Sequence, residues 1–365
     1  MPEQKKLNAI QLLTNSSYMM SLIFIPLLAN ELGASYVEVG MIVSGFGAAM
    51  FISSFIFGKA ADKHSFKTII KLGLGVSAIA YFLQVFAYDP QSLAIARAFA
   101  GFSTGMYPAA MIVYVHTRKQ SIGKFSSYGA LGWAVGFLAA GIIGDMRYLF
   151  ALSSLFYLVS FILATKLDEI ESVKLNISYF SIDTFTRNWV PYFSFFIRHV
   201  GAVAIWTIFP LYLKSLGASV LWIGILFTIN PAVQIVVMRR LDMFRNERLM
   251  IWGYVLSAIA FFAYLPAQNF LHIIPGMVLV AVSWSFMYVG LTQLMIVRNT
   301  DKATSIGLVN SMVSMATIIG PVAGGWVAQL YGFGAVIAVG GLLSIVGLLM
   351  FWMFDRPKRL DTGNI

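Results

Sequence analysis

Three ionisable side chains fall deep inside long apolar stretches of this 365-residue chain: Arg97, Arg198 and His199, with Glu38 near the end of another stretch. A charge in such a segment is costly, so each of these implies either a function or a buried partner. No Asp or Glu accompanies the arginines at comparable depth. A site built from them would carry excess positive charge and would suit a carboxylate or a phosphate ester. Histidine ordinarily titrates near neutrality, so His199 is a candidate proton carrier, although the adjacent Arg198 favours its neutral form and a role as a hydrogen-bonding member of the same site. Other chemistries find no footing in the sequence. There is no cysteine, and we find no paired carboxylates, metal-ligand cluster or activated nucleophile. No GxxxxGK[ST] phosphate loop occurs either. The expectation is a protein that is not an enzyme and holds no cofactor and no metal.

Polar and aromatic residues of the other apolar stretches extend this candidate site. Gln11, Thr14, Asn15 and Tyr18 recur at i, i+3, i+4 and i+7, one face of a helix. Trp206, Trp284, Tyr18 and Phe195 could wall an amphipathic ligand, and Tyr288 lies one helical turn beyond Trp284. Asn230-Pro231 interrupts the helical hydrogen-bond ladder, which suits either a gate or a static bend.

The elements that must position these residues follow from composition. With 59% hydrophobic and 11% charged residues and a mean hydropathy of +0.80, the chain reads as a membrane protein. Apolar stretches run over 8–30, 35–58, 68–88, 91–115, 124–144, 148–166, 189–213, 220–240, 248–266, 271–297, 304–329 and 332–354. Each approaches the ~20 residues that a spanning helix needs, so twelve transmembrane helices and an all-α class are expected. Strands of a barrel would show short alternating segments instead. The first stretch holds Gln11, Thr14, Asn15, Ser16 and Ser17, and is read as a span, not as a cleaved signal. Of 25 Lys and Arg, all but Arg97, Arg147, Arg198 and Lys214 fall in alternate loops and at the two termini. That asymmetry predicts cytoplasmic termini, and it accounts for the net charge of +10 without a nucleic-acid partner.

The chain also repeats itself. PLLANELGAS at 26–35 matches PLYLKSLGAS at 210–219, and the same offset of 184 aligns GFLAAG at 136–141 with GPVAGG at 320–325. Two structural repeats are expected, related by a pseudo-twofold axis, with any ligand between them. The predicted units are 1–166, a polar cytoplasmic linker 167–188, and 189–365. The offset carries Thr14 and Asn15 onto Arg198 and His199. Gly40, Gly45, Gly47, Gly101, Gly105, Gly129, Gly132 and Gly141 read as close-packing positions. Gly136, Asn230, Pro231, Gly320 and Pro321 read as packing or hinge positions.

Residues 58–67, GKAADKHSFK, resemble the GxLADRxGRK loop of the major facilitator superfamily, and they fall between the second and third spans on the basic side as in that family. Leu93 to Gly101 resembles its LxxxRxxxG motif, with Arg97 as the arginine, and Arg239-Arg240-Leu241-Asp242 with Arg245 looks like a degenerate second loop. Gly-Pro, which that family's antiporters carry in the fifth span, stands here in the eleventh as Gly320-Pro321. The resemblance implies two six-helix bundles around a central cavity built from helices 1, 4, 7 and 10. Gln11, Thr14, Asn15, Tyr18, Arg97, Arg198, His199, Trp206, Trp284 and Tyr288 would be its substrate-binding residues. Gly58, Asp62, Lys63 and Lys67 would form a conformational latch. It further implies a monomeric secondary transporter of the cell membrane that moves a small-molecule solute by alternating access, coupled to a proton or another ion. Export of amphipathic, drug-like compounds is the leading reading. Uptake or exchange of an organic anion is the alternative, ahead of a non-transporting receptor or lipid-handling protein.

Overall fold

Apolar runs of this length satisfy their backbone N–H and C=O groups within lipid only by coiling into helices. In the computed structural model, residues 2–61, 65–120, 122–169, 182–238, 240–241, 244–299 and 302–355 are described, and they contain helices and no strand. The helices are α1 (Glu3–Leu22), α2 (Ile25–Glu31), α3 (Tyr36–Ala61), α4 (Phe66–Leu83), α5 (Pro90–Gly105), α6 (Pro108–Thr117) and α7 (Ile122–Ile143). They continue with α8 (Met146–Thr165), α9 (Ile182–Arg187), α10 (Trp189–Ser215), α11 (Val220–Met238), α12 (Asn246–Ala263), α13 (Ile274–Arg298) and α14 (Lys302–Phe354). Among the described residues, ten segments are long and apolar enough to cross a membrane. One of them, Gly307–Phe354, contains a break at Gly332, and α12 is not among the ten. Pro321 does not break α14; the left-handed Gly332 does, at φ 79°.

The repeated LGAS tetrapeptide has a local cause. Gly33 and Gly217 both take left-handed φ, 92° and 84°, just past α2 and α10. Each helix is then closed by the same pair of bonds: Gly33 N–H to Asn30 O and Ala34 N–H to Ala29 O, against Gly217 N–H to Lys214 O and Ala218 N–H to Leu213 O. This glycine cap satisfies terminal carbonyls that would otherwise be orphaned in a low-dielectric environment. The next helix starts at once, with Ser35 and Glu38 exchanging bonds at the head of α3.

Glycine contacts show the offset of 184 in three dimensions. A Cβ on Gly136 of α7 would meet Ser16 O at 2.6 Å and Met19 Cβ at 2.9 Å, while one on Gly320 of α14 would meet Val200 O at 2.8 Å and Val203 Cβ at 2.9 Å. Every residue of the second set lies 184 beyond its counterpart. Between the two repeat copies the same rule holds. Gly40 of α3 lies against Pro321 O of α14, and Gly224 of α11 lies against Phe137 O of α7. Gly325 abuts Tyr36 O, and its counterpart Gly141 abuts Leu221 O, one residue past the exact offset. Helices approach this closely only where neither side chain intervenes, which is why small residues recur at these crossings in an apolar medium. Gly45, expected to pack as well, faces open space.

Polar ties secure the end of the molecule that carries the basic residues. Arg118 pairs with Glu3 at 3.1 Å and Asp168 at 2.9 Å, and Lys6 donates to Lys166 O. In the second copy, Arg298 grips Asp355 bidentately at 2.6 and 2.9 Å. Each cluster joins helices of one repeat copy.

Candidate substrate pocket

A cavity of about 320 Å³ lies between the two repeat copies. Helix α1 contributes Tyr18, Met19 and Leu22, and its interruption before Pro26 brings Ile23 and Pro26 to the same wall. Helices α3 and α7 add Val43, Phe46, Met50, Trp133 and Phe137. From the second copy come Arg198, His199, Ala202, Val203, Trp206 and Thr207 of α10, Phe227, Asn230, Pro231 and Gln234 of α11, and Val280 and Trp284 of α13. Among the described residues, no Asp or Glu lines the cavity. Its volume and mostly apolar wall, with a few convergent polar groups, are those of a small-molecule site.

On one side the cavity is roofed by the glycine crossings, together with Ser44 Oγ donating to Ile318 O, Tyr36 N–H donating to Gln329 Oε1 at 3.0 Å, and Phe137 against Phe227 at 5.6 Å. Lys214 and Glu31 pair at 3.2 Å on that side, but both are more than half exposed, which makes this a weak tie.

Of the expected binding residues, Tyr18, Arg198, His199, Trp206 and Trp284 line the cavity. Arg198 is buried, and it donates through Nε to Ser257 Oγ at 2.6 Å and through Nη2 to Ser283 Oγ at 3.3 Å, with its guanidinium 5.4 Å from the Phe261 ring centroid. His199 is held between Phe195 and Trp284, with centroids at 5.6 and 4.9 Å, and its Nδ1 has no hydrogen-bond partner. Tyr288 stacks on the far side of Trp284 at 5.4 Å and does not reach the cavity.

Gln11, Thr14, Asn15 and Arg97 do not line it. Thr14 donates to Ile10 O, and Asn15 to Gln11 O, so both hydrogen-bond within their own helix. Asn15 also accepts from Trp133 Nε1 at 2.8 Å, one layer behind the wall, while Gln11 faces Gly129 of α7. Arg97 is wholly buried among α1, α3 and the end of α4. Its Nη1 donates to Gln84 Oε1 at 3.1 Å and Ser21 O at 3.5 Å, and its guanidinium lies 4.1 Å from the Phe46 centroid. The two arginines therefore occupy separate places, one per repeat copy. The residues that sequence reasoning missed, Phe227, Phe137, Trp133 and Gln234, gave no signal beyond being apolar or isolated. Asn230 and Pro231 do face the cavity, although α11 continues through them.

Of the predicted latch, Asp62 and Lys63 lie outside the described residues, as do Arg239 and Asp242 of the degenerate second loop, and Gly58 falls within α3. Lys67 does not reach the other repeat copy in this conformation. It pairs with Glu169 at 3.5 Å, and Ser65 Oγ donates to the same carboxylate at 2.7 Å. The Ser65 hydroxyl, then Lys67, hold the Glu169 carboxyl below its ordinary pKa. A depressed carboxylate supports the contact at neutral pH and loses it only as pH falls through that lowered value, below the usual carboxylate range near ~4. Glu169→Gln should therefore raise the rate at which Lys67 is acylated by an amine-reactive reagent at pH 8, and an unchanged rate would show that the pair does not shield Lys67.

Comparisons with known proteins agree with this architecture. The profile of the Major Facilitator Superfamily matches residues 7–303 and 192–364. An uncharacterized MFS-type transporter, MJ1560, of Methanocaldococcus jannaschii is 23% identical over 358 residues, covering 90% of this chain and 92% of its own. Multidrug resistance protein 1 of Bacillus subtilis is 24% identical over 322 residues, covering 82% and 83%. The crystal structure of the nucleoside transporter NupG superposes with a TM-score of 0.82 at 16% identity, covering 98% of this chain and all of that one. A multi-pass integral membrane protein of all-helical fold with a solute-sized pocket between repeated units, this chain belongs to the Major Facilitator Superfamily.

Proposed function

We propose that the chain is a secondary transporter that exports amphipathic organic solutes by alternating access. One observation carries the reading: an apolar cavity of about 320 Å³ is walled jointly by both repeat copies, directly beneath crossings that contain little but glycine and backbone. Such crossings can part and re-form with little side-chain rearrangement, so residues 1–166 and 189–365 can rock as two bodies about the cavity. The basic end is cytoplasmic in this reading, and the conformation seen here is closed to the outside, with Asp62, Lys63 and Lys67 available to latch the inner end in the opposite state. Similarity to a multidrug resistance protein supports the choice of export.

The test is flux in proteoliposomes. A lipophilic dye should be moved against its gradient when a pH or sodium gradient is imposed, and Trp206→Ala should cut the initial rate about tenfold by removing a wall of the cavity, as loss of an aromatic anchor does at other sites. Dye binding without flux under any gradient would favour a static receptor instead.

A further inference from the structure

Among the described residues that line the cavity, the guanidinium of Arg198 is the one full charge, and no carboxylate offsets it. Its Nε and Nη2 donate to Ser257 and Ser283, hydroxyls that bond to each other at 2.6 Å, with Ser283 donating to Gly253 O at 2.8 Å. That relay of neutral dipoles fixes the guanidinium without cancelling its charge. The bonds to the two serines use Nε and Nη2, and on the adjacent residue His199 Nδ1 is buried and has no hydrogen-bond partner. The guanidinium thus borders an apolar cavity with its charge unneutralised, where a charge without a counter-ion is expensive. Next to it the cavity wall is aromatic: Trp284, whose two faces are taken by His199 and Tyr288, borders the cavity with its edge, and Trp206 stands edge-on to Phe209 and Phe227 at 5.3 Å each.

We propose that the solute is an aromatic organic anion, its ring system packed against the edge of Trp284 and against Trp206 and its carboxylate or similar acidic group bound by Arg198. This rests on the transporter reading above and narrows its amphipathic solute to one sign of charge. An anion supplies the counter-charge that the wall lacks, whereas a cation of the same shape would add a second positive charge to a low-dielectric site with no carboxylate to meet it.

The purified full chain in detergent provides the test, with three probes of nearly equal size: 2-naphthoate, 2-naphthylmethanol and 2-naphthylmethylammonium. Binding is read by quenching of tryptophan fluorescence and by the rise in melting temperature. Naphthoate should bind at least tenfold more tightly than the alcohol, and the ammonium compound should bind more weakly than either. Arg198→Gln should bring naphthoate down to the affinity of the alcohol while alcohol binding persists, which also reports that the variant is folded. Arg198→Lys, which keeps the charge but not the guanidinium bonds to the serines, should retain the preference for the anion and decides the matter if the glutamine variant does not fold. Equal binding of the ammonium probe, a preference that survives Arg198→Gln, or no binding of naphthoate would each overturn the proposal. Gradient-driven flux of a dye together with charge-blind binding would sink only this inference. Absence of flux with anion-selective binding would sink the transporter reading and leave the site.

Discussion

Gly40→Ala combined with Gly325→Ala should drive the protein out of the conformation described here and open the roof of the cavity. A Cβ on Gly40 would lie 2.3 Å from Pro321 O, and one on Gly325 would lie 2.2 Å from Tyr36 O. Both opposing atoms are backbone, so the conflict cannot be relieved by turning a side chain, and α3 must move away from α14. Overpacking of this kind costs about 1–3 kcal/mol per site, which for two sites shifts a conformational equilibrium by roughly thirtyfold to twenty-thousandfold. Helices within each repeat copy keep their own contacts, so the penalty falls on the closed roof and not on the folded chain. The absence of native cysteine makes the readout direct. Val43→Cys places a thiol on the cavity wall just below the crossing. Its labelling by a membrane-impermeant maleimide from outside should be slow in the otherwise native chain and at least tenfold faster with both alanines present. Equal rates would mean that the glycine crossings do not control access.

The same exchange within one repeat copy should act on stability instead. Gly101 and Gly105 of α5 lie one helical turn apart against α3, where a Cβ would meet Phe46 O at 2.2 Å, and Ser53 Oγ at 2.1 Å with Met50 O at 2.3 Å. These helices form one continuous packing surface around Arg97, whose guanidinium lies on Phe46. Gly101→Ala with Gly105→Ala should therefore lower folded-state stability by about 2–6 kcal/mol, at about 1–3 per site. The measurement is the midpoint of thermal unfolding in detergent, and a fall of several degrees is expected. A variant of unchanged midpoint that instead labelled faster at Val43→Cys would show that α5 belongs to the gate and not to the body of its repeat.

The contrast between these two glycine sets follows from partners that the sequence does not name. Glycine at Gly40 and at Gly101 looks alike in an apolar run, and close packing is legible for both. Whether the partner lies within the same repeat copy or across the pocket is a property of helix placement alone.

Helicity, membrane insertion and the duplication were determined by the sequence itself. Length and hydropathy decide them locally, because a backbone in lipid must bond to itself, and LGAS caps each helix through a left-handed glycine wherever it occurs. The contents of the pocket were not so determined. Arg97 and Arg198 read alike as lone cations in apolar helices, yet Gln84, Ser21 and Phe46 enclose the first while the second borders the cavity. Thr14 and Asn15 share a face with Tyr18, but their bonds to carbonyls one turn back satisfy them within the helix, and only Tyr18 reaches the opening. In water, polarity marks which side of a helix faces solvent. In lipid, every face of a spanning helix can be apolar, so the rotation that turns one face toward a neighbour and another toward the pocket emerges only when the helices pack.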